Sequence, residues 1–170
     1  SVKNFGAATF YISGAKDNKG EYLDGGKMYH LKVEANVPAR DFWSAVAHNL
    51  DSAAWIRDVP KVGVSSKNPD IQINEDGTTD LYFGPEAPEG LESNWVPTRA
   101  GERFFLLFRF YGPEPAVFDK SWQLDDIKLA DETPDIRSIW EPARLQHVTI
   151  LLNHVVQKEK PKTSDNVKHF

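Results

Sequence analysis

The stretch YHLKVEANV, residues 29–37, alternates strictly between apolar and polar side chains. A period of two residues indicates a half-buried β-strand, because successive side chains of a strand point to opposite faces of the sheet. The apolar side chains would cover one face of a core: they are Tyr29, Leu31, Val33, Ala35 and Val37. This stretch therefore predicts a sheet with one buried face.

Further strand patterns lie on either side of this stretch. Residues 5–14 (FGAATFYISG) are rich in aromatic and β-branched side chains, which favour strands. Residues 104–111 are apolar on both faces, which indicates a central strand that is covered on both sides. Residues 71–73 and 79–83 alternate around Asp76-Gly77, and an Asp-Gly pair between two alternating runs predicts a β-hairpin.

The last part of the chain has a different pattern. Residues 142–156 place apolar side chains at helical spacing, which predicts a C-terminal helix. After residue 157 the sequence is polar and rich in lysine, which predicts a flexible tail. We therefore expect a mainly β domain over residues 1–130, an antiparallel β-sandwich or jelly roll. A helical extension would follow over residues 131–157 and a disordered tail over residues 158–170.

The composition limits the classes of function. The 170 residues carry a formal net charge of −5, and an acidic surface repels phosphate backbones, so we expect no general nucleic-acid binding. The chain has no cysteine, which excludes disulfides and thiolate sites. No apolar stretch approaches the roughly 18 residues of a membrane-spanning helix, so we expect no membrane span.

Arg109 is the first candidate site residue. In a strand it shares a face with Phe105, Leu107 and Tyr111, so its guanidinium would lie in an apolar or half-enclosed space. A buried arginine needs an anionic or carbonyl partner, because an unpaired buried charge is strongly destabilising. Two interpretations follow, a structural ion pair and a clamp for a ligand carboxylate. Candidate internal partners are Glu92, Asp80 and Asp119.

The segment Glu92-Ser93-Asn94-Trp95 is the second candidate. It places a carboxylate, an amide and an indole N–H within one Pro- and Gly-rich loop. Loops on a rigid β scaffold often hold binding groups, and an aromatic ring can stack on a sugar or another planar ligand. The alternative is structural: Trp95 would close one end of the sandwich and Asn94 would satisfy loop main chain. The candidate ligand-binding residues are Arg109, Asn94, Trp95, Glu92 and Tyr111.

The sequence lacks the signatures of common catalytic and metal sites. It has no Gly-x-Gly-x-x-Gly, no phosphate-binding Gly-Lys-Ser/Thr and no Gly-x-Ser-x-Gly. His147 and His154 are separated by two helical turns, whereas zinc-binding histidines on a helix are typically about four residues apart. We therefore expect no metal site and no cofactor, and no catalytic residue is identified.

Several short motifs follow one another in a recognisable order. They are LDGGK at residues 23–27, NVPA at 36–39, FWS at 42–44, LYFGP at 81–85, NWVP at 94–97, YGP at 111–113 and FDKSW at 118–122. Together they resemble the domain of unknown function 1214 over about residues 5–129. The resemblance implies a jelly roll, many bacterial members, and an N-terminal companion called domain of unknown function 1254.

Two departures from this family bear on function. The companion domain is not part of this sequence, so a site between the two domains would be incomplete. Ala47-His48-Asn49 stands where family members commonly have a Tyr-Asp segment. The chain starts at Ser1 and its only methionine is Met28, so translation began upstream or the initiator was removed. Together with the export signals of some family members, this start favours an exported or periplasmic protein.

Three functional hypotheses follow from these observations. The first is a module that binds a ligand, the companion domain or a second subunit in a homo-oligomer. The second is part of an enzyme that acts on a small organic or sugar-like molecule, with Arg109, Asn94 and Trp95 lining its pocket. The third is lectin-like carbohydrate binding, suggested by the five tryptophans.

Overall fold

The computed structural model describes residues 9–130, which contain eight strands. In chain order they are β1 (Thr9–Gly14), β2 (Tyr29–Val33), β3 (Ala39–Asn49), β4 (Gly63–Ser65), β5 (Thr79–Gly84), β6 (Trp95–Pro97), β7 (Phe104–Pro113) and β8 (Lys128–Leu129). A 3-10 turn (Glu92–Asn94) precedes β6, and one short helix, α1 (Pro115–Phe118), follows β7. The prediction of a mainly β fold is therefore confirmed.

The eight strands form two sheets of four. The first sheet has the order β1-β7-β3-β4, and all its neighbouring strands are antiparallel. The second sheet has the order β6-β5-β2-β8, with one parallel pair between β5 and β6. The predicted central place of residues 104–111 is confirmed, because β7 lies between β1 and β3 and pairs with both, but only one of its two faces is fully buried.

The two sheets bury their facing sides in one core. Phe104, Leu106, Phe108 and Phe110, the even-numbered side chains of β7, are buried against residues of the second sheet. The ring of Tyr29 on β2 meets that of Phe104 at 5.8 Å between centroids. Antiparallel sheets packed in this way make a β-sandwich, while the finer jelly-roll topology stays a prediction.

The strand predicted over residues 29–37 ends earlier than its alternation suggests. Strand β2 stops at Val33, and Asn36 takes a left-handed backbone conformation with φ of 55°. Left-handed residues break the pleat, and asparagine adopts this conformation more readily than most residues. The alternation continues through a bend that no longer belongs to the sheet.

The prediction of a β-hairpin around Asp76-Gly77 is wrong. The turn itself forms, with φ of 83° at Gly77 and a hydrogen bond from the N–H of Asn74 to the carbonyl of Thr78. Residues 71–73, however, are not a strand, and β5 pairs with β2 and β6 instead. The cause is Asn94, whose side-chain amide takes both main-chain groups of Gln72 that a hairpin partner would use.

The predicted C-terminal helix and tail lie outside the described residues. Within residues 9–130, no helix is long and apolar enough to cross a membrane.

Candidate functional site

The outward side of the first sheet carries an unusual set of side chains. Because the even positions of β7 face the core, its odd positions face away from the second sheet. The strand register places side chains of β1 and β3 beside them. We call this side the outer face; it consists of Tyr11, Phe42, Ser44, Val46, His48, Phe105, Leu107, Arg109 and Tyr111.

A pair of stacked rings lies at each of the two ends of the outer face. At one end the rings of Phe42 and Tyr111 stack at 3.9 Å between centroids with an interplanar angle of 12°. The ammonium group of Lys67 lies 4.7 Å from the centre of the Phe42 ring. At the other end His48 stacks on Phe105 at 5.1 Å. Stacked rings hold each other in place, so the partly exposed Phe42–Tyr111 end is a preformed surface, whereas His48 at the other end is buried.

Arg109 lies between these ends and has no ionic partner among residues 9–130. Its cross-strand neighbours are Tyr11 and Ser44, and its guanidinium carbon is 5.7 Å from the centre of the Tyr11 ring. Its Nε is buried and makes no hydrogen bond. Only this nitrogen is enclosed, because Arg109 as a whole residue is partly exposed.

The three carboxylates proposed from the sequence as partners of Arg109 are engaged elsewhere. Asp80 lies 2.6 Å from the Nε2 of His30, and the hydrogen bond from this imidazole is the main reason why the pKa of Asp80 is lowered. Asp119 accepts the N–H of Ser121, and Glu92 accepts the N–H of Gly90. The interpretation of Arg109 as a structural ion pair with one of these groups is therefore wrong.

His48 is the second polar group of the outer face with an unmet hydrogen bond. It is 6% exposed, and its Nδ1 is buried without a partner. Burial lowers the pKa of His48, and the positive charge of Arg109 lowers it further. The imidazole is therefore neutral at pH 7, and its unpaired Nδ1 is enclosed.

The Glu92–Trp95 turn lies in the second sheet, away from Arg109. Asn94 accepts the N–H of Gln72 at 2.8 Å and donates to the carbonyls of Gln72 and Asp80, and its oxygen also accepts the hydroxyl of Ser93. The indole of Trp95 donates to the carbonyl of Gly84. The neighbouring Val96 is fully buried in the core, whereas Arg109 points out of the other sheet. The predicted site residues therefore form two groups, Arg109 with Tyr111 on the outer face and Glu92 with Asn94 and Trp95 at the second sheet.

One feature of the structure was not predicted. Residues 50–58 fold back after β3 and form a cleft of about 220 Å³. The indole of Trp55 is 59% exposed beside it. The sequence signal was a tryptophan isolated in the polar stretch DSAAWIRD, which does not reveal whether the ring packs inward or outward. A second cavity of about 150 Å³ lies between the sheets' edges near Trp43 and Ile73.

Metal ligation finds no support in this part of the chain. Among the described residues, no three His, Cys, Asp or Glu side chains are grouped closely enough to hold an ion. The closest ionisable pair, His30 and Asp80, is completed by Asn74, which donates to the second carboxylate oxygen of Asp80 at 2.7 Å. This is a closed hydrogen-bonded network.

Comparisons with known proteins support the fold and leave the activity open. The model of the family described as "Protein of unknown function (DUF1214)" matches residues 8–115. A search of curated proteins found no match. The crystal structure of the VPA0106 protein from Vibrio parahaemolyticus is similar, with a TM-score of 0.63 and 21% identity over 72% of this chain and 30% of that one. The crystal structure of a "putative uncharacterized protein from Burkholderia cenocepacia" has a TM-score of 0.48 and 16% identity, over 72% of this chain and 29% of that one.

Proposed function

The chain belongs to the DUF1214 family of proteins of unknown function, and we propose that it is an interaction module whose outer face binds a partner domain. The partner would present an apolar surface with one carboxylate opposite Arg109. The observation that carries this proposal is the guanidinium of Arg109, which is held among aromatic rings with a buried Nε and no acceptor within residues 9–130.

The composition of the outer face fits a protein surface better than a small ligand. Aromatic side chains and arginine are enriched at the centres of protein–protein interfaces and dominate their binding energy. Tyr11, Phe42, Tyr111 and Arg109 are grouped on neighbouring strands in this way. Tyr11 is 51% exposed and the other three are partly exposed, so a partner can reach this part of the sheet, whereas small-molecule sites are usually concave.

The charge of Arg109 indicates what kind of partner fits. In a symmetric dimer centred on this face, the two copies of Arg109 would approach each other, and like charges in a buried interface are strongly unfavourable. A different domain that supplies a carboxylate would pair with the guanidinium in a bidentate arrangement. This chain spans about 30% of the length of the similar Vibrio parahaemolyticus protein, so the same fold occurs there within a much longer chain.

The proposal is tested by measuring binding to the part of the Vibrio parahaemolyticus protein that lies outside the shared fold. We expect calorimetry to give a Kd of about 100 µM or tighter. Arg109→Glu should abolish this binding, because it would oppose two carboxylates. Lys27→Glu is the matched control, since Lys27 is an exposed cation on the connection into β2 and the charge change is the same.

Two results would overturn this function. One is the absence of binding at that concentration. The other is binding that Arg109→Glu leaves unchanged while the variant stays folded by circular dichroism. Arg109→Leu gives an independent readout in the isolated chain. If the unpaired charge exists to serve a partner, its replacement by an apolar side chain should leave stability unchanged or raise it, whereas a loss of stability would assign Arg109 to the scaffold.

A further inference from the structure

The cleft beside Trp55 is built so that the indole stays outside the core. Ile56, the next residue, is 4% exposed and belongs to the core, whereas Trp55 is 59% exposed. A bridge between His48 and Trp55 ties the main chain to the end of β3. Because neighbouring side chains of extended backbone point in opposite directions, the burial of Ile56 keeps the ring of Trp55 at the surface.

The loop that carries Trp55 is held rigidly by Asn49. The side-chain oxygen of Asn49 accepts the N–H groups of Asp51 and Ser52, and its amide nitrogen donates to Glu102 at 2.8 Å. Ala53 has a φ of 55°, a left-handed conformation that is unfavourable for alanine and has no side-chain hydrogen bond to offset it. Strained backbone of this kind is found preferentially at ligand sites, where it preforms a surface.

Two arginines, Arg57 and Arg99, line the cleft, and they differ in their partners. Arg99 is shared between Asp58 at 3.3 Å and Glu102 at 3.4 Å, and it donates to the carbonyl of Arg57. The side chain of Arg57, by contrast, makes no ion pair or hydrogen bond with the described residues. An exposed indole therefore lies in the same cleft as an arginine that has no direct ionic partner among the described residues, while the group of Arg57, Arg99, Asp58 and Glu102 is neutral as a whole.

From this combination we infer that the Trp55 cleft binds a sugar ring that carries a carboxylate, as in a uronic acid. The apolar C–H face of such a ring stacks on an indole, and a guanidinium binds a carboxylate in a bidentate manner. Ser52 and Glu102 at the cleft wall can meet ring hydroxyls. The volume of about 220 Å³ is smaller than the roughly 300–1,000 Å³ of drug-sized pockets, which limits the enclosed part of the ligand to about one ring.

This site shares no lining residue with the outer face, although the main chain of Trp55 is bridged to that of His48, and its test does not depend on a partner domain. A galacturonate trimer is titrated into the full chain by calorimetry, with the neutral galactose trimer and benzoate as comparison ligands. We expect the acidic trimer to bind most tightly. Trp55→Ala should weaken its binding about tenfold, as expected for the loss of an aromatic stacking contact. Arg57→Gln should remove most of the preference for the acidic over the neutral trimer.

The controls separate this site from other surfaces. Tyr22→Ala removes another half-exposed aromatic ring outside the cleft and should leave binding unchanged. Arg109→Glu should also leave it unchanged, so a failure of the partner hypothesis would not affect this result. The inference is overturned if neither saccharide binds at about 10 mM, if Trp55→Ala has no effect in a folded variant, or if benzoate binds more tightly than the acidic trimer.

Discussion

The side chain of Asn94 makes main-chain hydrogen bonds that a neighbouring strand would otherwise supply. Its amide satisfies the N–H and the carbonyl of Gln72 and the carbonyl of Asp80, and the residue is 2% exposed. We expect Asn94→Ala to lower the free energy of unfolding by about 3 kcal/mol, because buried main-chain groups would lose their partners. Urea unfolding followed by tryptophan fluorescence measures the change.

Two comparison substitutions show whether the side-chain amide of Asn94 is responsible for this contribution to stability. Asn94→Asp keeps an acceptor for the N–H of Gln72 but loses both donors, so it should be destabilising as well. Ser93→Ala removes a hydroxyl that hydrogen-bonds only to side chains nearby, and it should change stability by no more than about 1 kcal/mol. A stability loss of similar size in Asn94→Ala and Ser93→Ala would argue against this account.

At the scale of elements, one close contact joins the connection into β2 to the start of β7. The N–H of Gly25 donates to the carbonyl of Glu102, and the hydroxyl of Thr98 donates to the carbonyl of Gly25. A Cβ at residue 25 would collide with the carbonyl oxygen of Arg99 and lie 2.9 Å from that of Glu102. The two segments can approach this closely only because residue 25 has no side chain.

We therefore expect Gly25→Ala to lower the free energy of unfolding by about 2–3 kcal/mol, because main chain on both sides must move apart. The measurement is again urea unfolding. Gly14→Ala is the control, since a Cβ at residue 14 would have no neighbour within 4 Å. It should be neutral or stabilising by up to about 1 kcal/mol, as alanine restricts the unfolded chain. Equal effects of the two substitutions would contradict the proposed contact.

The same scale shows what could be predicted from sequence. The identity of β7 as a central strand could be predicted because residues 104–111 are apolar at every position but one, although the structure fully buries only the even positions. The absence of a hairpin at Asp76-Gly77 could not be predicted, because it depends on Asn94, a residue distant in the chain whose side chain binds the main chain of Gln72. Local patterns indicate which segments can form strands, and they do not report which groups pair with them.

The candidate site was harder to predict for a similar reason. The alternation of β7 correctly placed Arg109 and Tyr111 on one face. Nothing local to residues 92–95 indicates that they belong to the other sheet, since strand order is decided by contacts between distant residues. The exposure of Trp55 likewise depends on the burial of Ile56 in a core that both sheets build.

At the scale of the whole molecule, His48 makes stability depend on pH. Its folded-state pKa is lowered, first by burial and then by the charge of Arg109, whereas the unfolded pKa is about 6.5. Below about pH 6.5 the unfolded chain takes up a proton that the folded chain does not, so the free energy of unfolding falls as the pH falls. The slope is at most about 1.4 kcal/mol per pH unit, and it ends below the folded pKa.

The variant His48→Gln isolates this contribution, because other titrating groups are common to both proteins. We expect the difference between wild type and variant to change steadily below about pH 6.5 and to be constant above it. Asp80 has a lowered pKa, chiefly through His30, so its contribution is lost only as the pH falls below the ordinary carboxylate range near pH 4. Urea unfolding from pH 4.5 to 8 separates the two windows, and parallel stability curves for both proteins would show that His48 is readily protonated in the fold. In that case the outer face would already accommodate a second positive charge beside Arg109, and a partner carboxylate would meet two cations there.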